Sequence, residues 1–286
     1  MASGARLRPL VLLLLCCGTP AFVRGAPPPG RVVRQQPEEK SFSTGPQPQF
    51  VAFLYAPKEA PAENPAAPPV IFYSGEFGWR PLQQDLASYL ASTGRFVVGI
   101  DSTDYFSSRV PPSALAQDFE KFRAWVNERA GRPKEAEVIV AGFAFGAEMI
   151  PYLLNEAKVP GVRGAVLVAP GAKGVTVFHV TVQLKMDSLP GEQFDVEQEL
   201  RQMPAIPVVL MEGAYDKDSA AKRLADLPRG PHKYVRVEGG DHQFHDVREE
   251  FFAILSDALR WIDGTPMEAP PAATPAAPTP TPHELP

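Results

Sequence analysis

The sequence predicts an α/β fold in which a mostly parallel β-sheet is covered by helices on both faces. Between residues 49 and 263, short apolar runs alternate with segments whose apolar residues recur at the helical period. Most of the apolar runs show no polar alternation, which is typical of strands buried on both faces. Strands that alternate with amphipathic helices form parallel sheets, so we expect a ligand site beyond the carboxyl ends of the strands.

The predicted elements follow one another in order along this region. Seven apolar runs are predicted strands: QFVAFLYAP, PPVIFYSG, RFVVGIDS, EAEVIVAGF, RGAVLVAP, PVVLMEG and KYVRVEG. Apolar residues at helical spacing predict helices over residues 80–94, 113–126, 146–158, 192–203, 217–227 and 247–262. The run VTVFHVTVQL, residues 175–184, alternates strictly between apolar and polar positions, which predicts an exposed or edge strand.

The two ends of the chain differ from this body. Residues 1–25 begin with a basic segment, continue with an apolar run from Leu10 to Cys17 and end with small residues, which predicts a signal peptide and export. Residues 26–48 are predicted to be a Pro-rich leader, and residues 264–286 a Pro/Ala/Thr-rich tail. Neither contains enough apolar surface to offset the entropy of ordering, so we expect both to be disordered. The folded domain is therefore predicted over residues 49–263.

Charge and cysteine content disfavour several classes of function. The predicted signal peptide contains three of the 28 basic residues and none of the 33 acidic residues, so the exported chain is acidic. Without a basic stripe, a nucleic-acid partner is not expected. Cys16 and Cys17 are the only cysteines, and both lie in the signal peptide. The sequence therefore predicts no disulfide, no metal site built on thiolates and no cofactor.

The turn after the strand EAEVIVAGF is the first candidate site. Ala144 lies at its centre, between Gly142 and Gly146. In a strand–turn–helix of this kind the central residue is often a nucleophilic serine on a strained backbone, and the flanking glycines let strand and helix approach closely. The pattern predicts such an elbow with alanine at the nucleophile position.

An acid and a histidine follow two later strands. Asp216 follows PVVLMEG, and His242 follows KYVRVEGG. Asp218 more naturally begins the next helix, and His245 lies a turn further on, so Asp216 and His242 are the better candidates. In chain order these residues are nucleophile position, acid and histidine, which is the order of an α/β-hydrolase triad. A metal site in DHQFHD is disfavoured because its two histidines have no evident third ligand.

The loop after PPVIFYSG completes the candidate site. In a hydrolase of this kind it supplies one oxyanion-hole N–H, here from Glu76 or Phe77, and the residue after the nucleophile, here Phe145, supplies the other. Gly75 lets the backbone turn towards a substrate. Trp79 is either a wall of the pocket or a plain core residue.

Four stretches, YSGEFGW, VVGIDSTDYF, GFAFGAEMIPY and GGDHQF, resemble the bacterial virulence protein family of VirJ and the carboxyl-terminal domain of AcvB. The resemblance covers about residues 68 to 262. It implies a periplasmic protein with an α/β-hydrolase fold that hydrolyses aminoacylated phosphatidylglycerol at the inner membrane. It also implies that Asp216 and His242 are the acid and base, and that Ala144 replaces the serine of the family.

Three functional interpretations follow. A methyl group cannot attack a carbonyl, and loss of a triad serine costs about a million-fold in turnover. The first interpretation is an impaired enzyme that binds a lipid headgroup, an ester or an envelope protein partner, with peripheral membrane contact. The second is an active hydrolase in which His242 activates water directly. The third is a structural envelope or secretion component that acts through its Pro-rich ends.

Overall fold

The structure is a computed structural model that describes residues 32–43, 50–58, 67–179 and 191–266. The predicted signal peptide and residues 267–286 of the predicted tail lie outside these ranges. Within them, no helix is long and apolar enough to cross a membrane.

The described residues contain ten strands. They are β1 (Glu38–Phe42), β2 (Phe50–Tyr55), β3 (Val70–Tyr73), β4 (Val97–Ile100), β5 (Val138–Phe143), β6 (Val162–Val168), β7 (Lys173–Val175), β8 (Gln193–Asp195), β9 (Val208–Gly213) and β10 (His232–Val237). Eight form one sheet in the order β1-β2-β4-β3-β5-β6-β9-β10. From β4 to β10 every neighbouring pair is parallel, whereas β1 and β2 join antiparallel at one edge. The predicted mostly parallel α/β sheet is confirmed.

Seven helices connect the strands in the described part of the chain. They are α1 (Pro81–Ser92), α2 (Ser102–Tyr105), α3 (Pro112–Arg129), α4 (Phe145–Asn155), α5 (Val196–Gln202), α6 (Ala221–Leu224) and α7 (Arg248–Gly264). The apolar faces of α3, α4 and α5 pack in one core cluster with one side of the sheet. Those of α1 and α7 pack in a second cluster with the other side. Helices therefore cover both faces, as the sequence predicts.

The sheet begins earlier in the chain than the sequence predicts. Residues 26–48 were expected to be a disordered leader, but β1 lies within them and pairs with β2, Phe42 opposite Phe50. The ring of Phe42 also packs edge-on against Phe122, with ring centroids 5.1 Å apart. One buried aromatic residue and a strand partner thus order a segment whose other side chains are exposed.

Three predicted elements differ in extent. The helix predicted over residues 192–203 begins only at Val196, because residues 193–195 form β8. The strand predicted over residues 175–184 is wrong where the structure describes it: β7 ends at Val175 and pairs only with β8 in a separate two-stranded sheet. Residues 180–184 lie outside the described ranges. The helix predicted over residues 217–227 is reduced to α6, because the loop that carries Asp216 occupies the residues before it.

Candidate active site

Ala144 retains the backbone of a nucleophile elbow. It lies between β5 and α4 with φ 46° and ψ −116°, a conformation that costs a residue other than glycine on the order of 1–3 kcal/mol. Its N–H donates to the carbonyl of Val168 at 2.8 Å, and its carbonyl accepts from the N–H of Glu148 at 3.0 Å. Strand β6 and helix α4 therefore hold the strained residue in place.

The two glycines beside the elbow allow the close packing that the sequence predicts. A Cβ on Gly146 would lie 2.4 Å from the carbonyl oxygen of Ser74 and 2.5 Å from that of Tyr73. A Cβ on Gly142 would lie 2.5 Å from the backbone of Gly146. The first turn of α4 thus lies directly against the end of β3, which brings the elbow next to the loop that follows β3.

Asp216 and His242 meet, as predicted. The Nδ1 atom of His242 lies 2.8 Å from Oδ2 of Asp216. The other carboxylate oxygen accepts from the N–H groups of Asp218 and Ser219 at 2.9 and 3.2 Å. Burial alone would raise the pKa of Asp216, but His242 and these two N–H groups hold it below its ordinary value. Asp216 is therefore an anion that orients the imidazole.

Close backbone packing joins the loops after β9 and β10. The N–H of Tyr215 donates to the carbonyl of Gly240 at 2.8 Å. A Cβ on Gly213 would lie 2.5 Å from the carbonyl oxygens of Gly240 and Asp241. The glycines in the two strand ends are the reason why an acid and a histidine 26 residues apart reach each other.

The imidazole of His242 extends to the elbow and to the loop after β3. Its ring centroid lies 5.2 Å from that of Phe143, the residue before Ala144. Its Nε2 atom lies 3.8 Å from Oε1 of Glu76. Burial lowers the pKa of His242, but Asp216, Glu76 and Asp218 outweigh it, and the pKa is raised. His242 therefore lies between two carboxylates, one at each ring nitrogen.

Glu148 is a site residue that sequence reasoning missed. It lies one turn after Ala144 on α4, and its Oε1 accepts from the N–H of Gly171 at 3.0 Å. Burial raises the pKa of Glu148 to about 8, and the charges of Glu76 and His242 also act on it. The sequence signal for this role was a glutamate in the first helical turn after the elbow. Residues four apart share a helix face, so Glu148 is expected on the same side of α4 as Ala144.

The three residues predicted to form the oxyanion hole have different environments in the structure. Phe145 is the first residue of α4, where a backbone N–H has no acceptor within the helix. Glu76 contributes its carboxylate to the site, a role that the sequence did not suggest. The side chain of Phe77 is 51% exposed. The oxyanion-hole role of Glu76, Phe77 and Phe145 stays a prediction.

The structure also gives different results for the two residues predicted to bind substrate. Gly75 packs against Phe143, since a Cβ there would lie 2.8 Å from that ring, and its substrate contact stays a prediction. Trp79 as a pocket wall is wrong. Its ring is buried against Phe53 and donates from Nε1 to the hydroxyl of Tyr55 at 3.1 Å, so the core alternative holds.

The second histidine of DHQFHD does not join the site. His245 is exposed and pairs locally with Asp241 at 2.8 Å. Among the described residues, no group of three or more His, Cys, Asp or Glu side chains could hold a metal ion.

Several solved structures share this fold. The esterase domain of a Rhodothermus marinus protein matches with a TM-score of 0.55 and 14% identity, over 79% of this chain and 99% of that domain. A serine hydrolase without a lid from Xanthomonas campestris matches with 0.52 and 17%, over 83% and 100%. An α/β serine hydrolase homologue from Coxiella burnetii matches with 0.53 and 18%, over 78% and 97%. These likenesses confirm the α/β-hydrolase-like fold.

Comparison with curated protein sequences gives no significant match. A family model, described as the bacterial virulence protein VirJ, matches residues 69–261. The match covers more than half of the chain and includes Ala144, Asp216 and His242. The chain belongs to the VirJ family.

Proposed function

We propose that this VirJ-family protein binds an ester or a lipid headgroup in a hydrolase-like pocket without hydrolysing it at the rate of a hydrolase. One observation carries the proposal. The elbow keeps its strained backbone and Asp216 keeps its contact with His242, yet the residue on the elbow is Ala144. The backbone of the elbow and the contact between acid and histidine are retained, and a methyl group lies where the attacking oxygen would be.

The surroundings of His242 support a binding role. A triad histidine accepts a proton at Nε2 and must therefore be neutral there. Here Nε2 lies 3.8 Å from Glu76, and the carboxylates around the imidazole raise its pKa. A raised pKa means that, at a given pH, a larger fraction of His242 is in the charged form, which has no free lone pair, than for an isolated imidazole, and this opposes direct activation of water by His242.

The charge of the site favours a ligand with a cationic group. Asp216, Glu76 and Asp218 act on His242 and raise its pKa, so the surroundings of the imidazole are acidic. An aminoacyl ester of phosphatidylglycerol, which the resemblance implies, carries an ammonium group beside its ester carbonyl. Export through residues 1–25, a periplasmic location and peripheral contact with the inner membrane belong to the same proposal.

A vesicle experiment tests this function. Residues 26–286 are mixed with vesicles of phosphatidylglycerol with and without its lysylated form, and both sedimented protein and released lysine are measured. We expect preferential binding to lysylated vesicles and no lysine release. Glu76→Gln should weaken that preference, while Glu250→Gln, an exposed position on α7, should not. Equal binding to both vesicle types would contradict the proposed ligand.

A second candidate is an active hydrolase in which His242 activates water directly. The intact contact between Asp216 and His242 favours it. In this case the unmodified protein would release lysine, and His242→Ala would abolish the release. That result would replace the binding proposal with an enzymatic one.

A further inference from the structure

Asp101 uses its two carboxylate oxygens for different parts of the molecule. It follows β4 and caps α2, where Oδ1 accepts from the N–H of Thr103 at 3.0 Å, from its hydroxyl at 2.8 Å and from the N–H of Asp104 at 3.3 Å. Oδ2 accepts from the N–H of Trp79 at 2.9 Å. Capping alone accounts for Oδ1, whereas Oδ2 holds the loop that follows β3.

That loop contains a tight turn seated on the carboxylate. The N–H of Gly78 donates to the carbonyl of Gly75 at 3.0 Å, and Gly78 has φ 77°. A Cβ on Gly78 would lie 2.7 Å from Oδ2 of Asp101. Glycine is therefore required twice here, once for the positive φ and once for the approach of the carboxylate.

The two ends of the turn are fixed separately. Before it, the N–H of Ser74 donates to the carbonyl of Ile100 at 3.0 Å, and Oγ of Ser74 accepts from the N–H of Ser102 at 2.9 Å. After it, the ring of Trp79 is buried in the core. Glu76 lies between these anchors, with Oε1 3.8 Å from Nε2 of His242.

We propose that Asp101 is a positioning residue that holds the Gly75–Gly78 turn and thereby keeps the carboxylate of Glu76 opposite His242. Asp101 acts on His242 through Glu76. The titratable groups that interact electrostatically with His242 come from three places: Asp216 and Asp218 after β9, Glu76 after β3, and Glu148 on α4. The inference concerns the pocket of the proposed function, but it holds whether that pocket binds or hydrolyses its ligand.

A double-mutant cycle read at His242 tests the proposal. The imidazole is titrated by NMR in the unmodified protein, Glu76→Gln, Asp101→Ala and the double variant, with the signal assigned by its loss in His242→Gln. The charge of Glu76 stabilises the imidazolium, so Glu76→Gln should lower the pKa of His242. Asp101→Ala should lower it in the same direction, and the double variant should shift it no further than Glu76→Gln does.

A second aspartate that caps a helix provides the control for an effect that comes only from loss of a cap. Asp195 caps α5 by accepting from the N–H groups of Glu197 and Gln198 at 2.9 and 3.3 Å. Asp195→Ala should lower the melting temperature as loss of a cap does, while the pKa of His242 stays unchanged.

Two outcomes would overturn the proposal. One is a folded Asp101→Ala variant in which the pKa of His242 is unchanged. The other is an equal shift in the Glu76→Gln background, which would mean that Asp101 acts on His242 by a route other than Glu76. If Asp101→Ala does not fold, the Gly78→Ala variant replaces it in the test, since the added Cβ displaces the turn while Asp101 is unchanged. An unchanged pKa of His242 in Gly78→Ala would also contradict the proposal. Failure of lipid binding in the vesicle experiment affects none of these readings.

Discussion

At the residue scale, the strain at Ala144 persists without the nucleophile that such strain serves in a hydrolase. Its backbone conformation costs on the order of 1–3 kcal/mol, and the hydrogen bond to Val168 and the close packing of Gly142 and Gly146 enforce it. A serine would therefore enter a backbone that already suits it. Ala144→Ser therefore tests the proposed function directly.

Glu148 gives a prediction about stability and pH. Its pKa is raised from 4.5 to about 8, so between these values the folded protein binds more protons than the unfolded chain, and stability falls as pH rises through that window. Glutamine cannot ionise and keeps the acceptor for the N–H of Gly171. We expect Glu148→Gln to raise the free energy of unfolding by on the order of a few kcal/mol at pH 9 and to change it little at pH 4.5.

Urea denaturation at pH 4.5, 7 and 9 measures this difference. The exposed Glu250→Gln variant serves as the control and should show no comparable dependence on pH. A gain in Glu148→Gln that is the same at all three pH values would contradict a buried titrating carboxyl.

At the element scale, the contact between α4 and the end of β3 determines where the elbow lies. We expect Gly146→Ala to destabilise the protein by about 1–3 kcal/mol or more, because the added Cβ would lie 2.4 Å from a backbone oxygen that cannot move aside cheaply. Gly264→Ala is the matched control, since a Cβ there meets nothing within 4 Å. Equal thermal melts for the two variants would show that the close approach is not required.

The sequence predicted the central elements because their signals are local. Uninterrupted apolar runs indicated β3 to β6 and β9, and glycines on both sides of Ala144 indicated the elbow. The strand β1 has no such signal, since EEKSF is polar and its order depends on pairing with β2. The alternating run after Val175 suggested a strand for the same local reason, but no strand in the described part of the chain pairs with residues 176–179.

At the scale of the whole molecule, the parallel sheet brings three distant loops together at one end. The chain order of Ala144, Asp216 and His242 was enough to predict this convergence. The side chains of Glu76 and Glu148 could not be predicted, because their role depends on distances between different elements. The carboxylate of Glu76, 3.8 Å from Nε2 of His242, adds an acidic neighbour to a triad in which one residue is replaced.

The edge of the sheet gives a prediction about global stability. Phe42 packs against Phe50, Phe122 and Trp125, so we expect Phe42→Ala to cost about 3–5 kcal/mol in urea denaturation. Val33, which is 73% exposed, should tolerate alanine within about 0.5 kcal/mol. A loss below about 1 kcal/mol for Phe42→Ala would mean that β1 contributes little to the fold.

The most direct test of the central claim is the rate of ester hydrolysis by the unmodified protein and by Ala144→Ser, measured with p-nitrophenyl acetate beside His242→Ala controls. We expect near-background turnover for the unmodified protein, a gain of at least about 100-fold in kcat/KM for Ala144→Ser, and loss of that gain when His242 is also replaced. Hydrolysis by the unmodified protein within about tenfold of the Ala144→Ser rate, abolished by His242→Ala, would contradict the central claim.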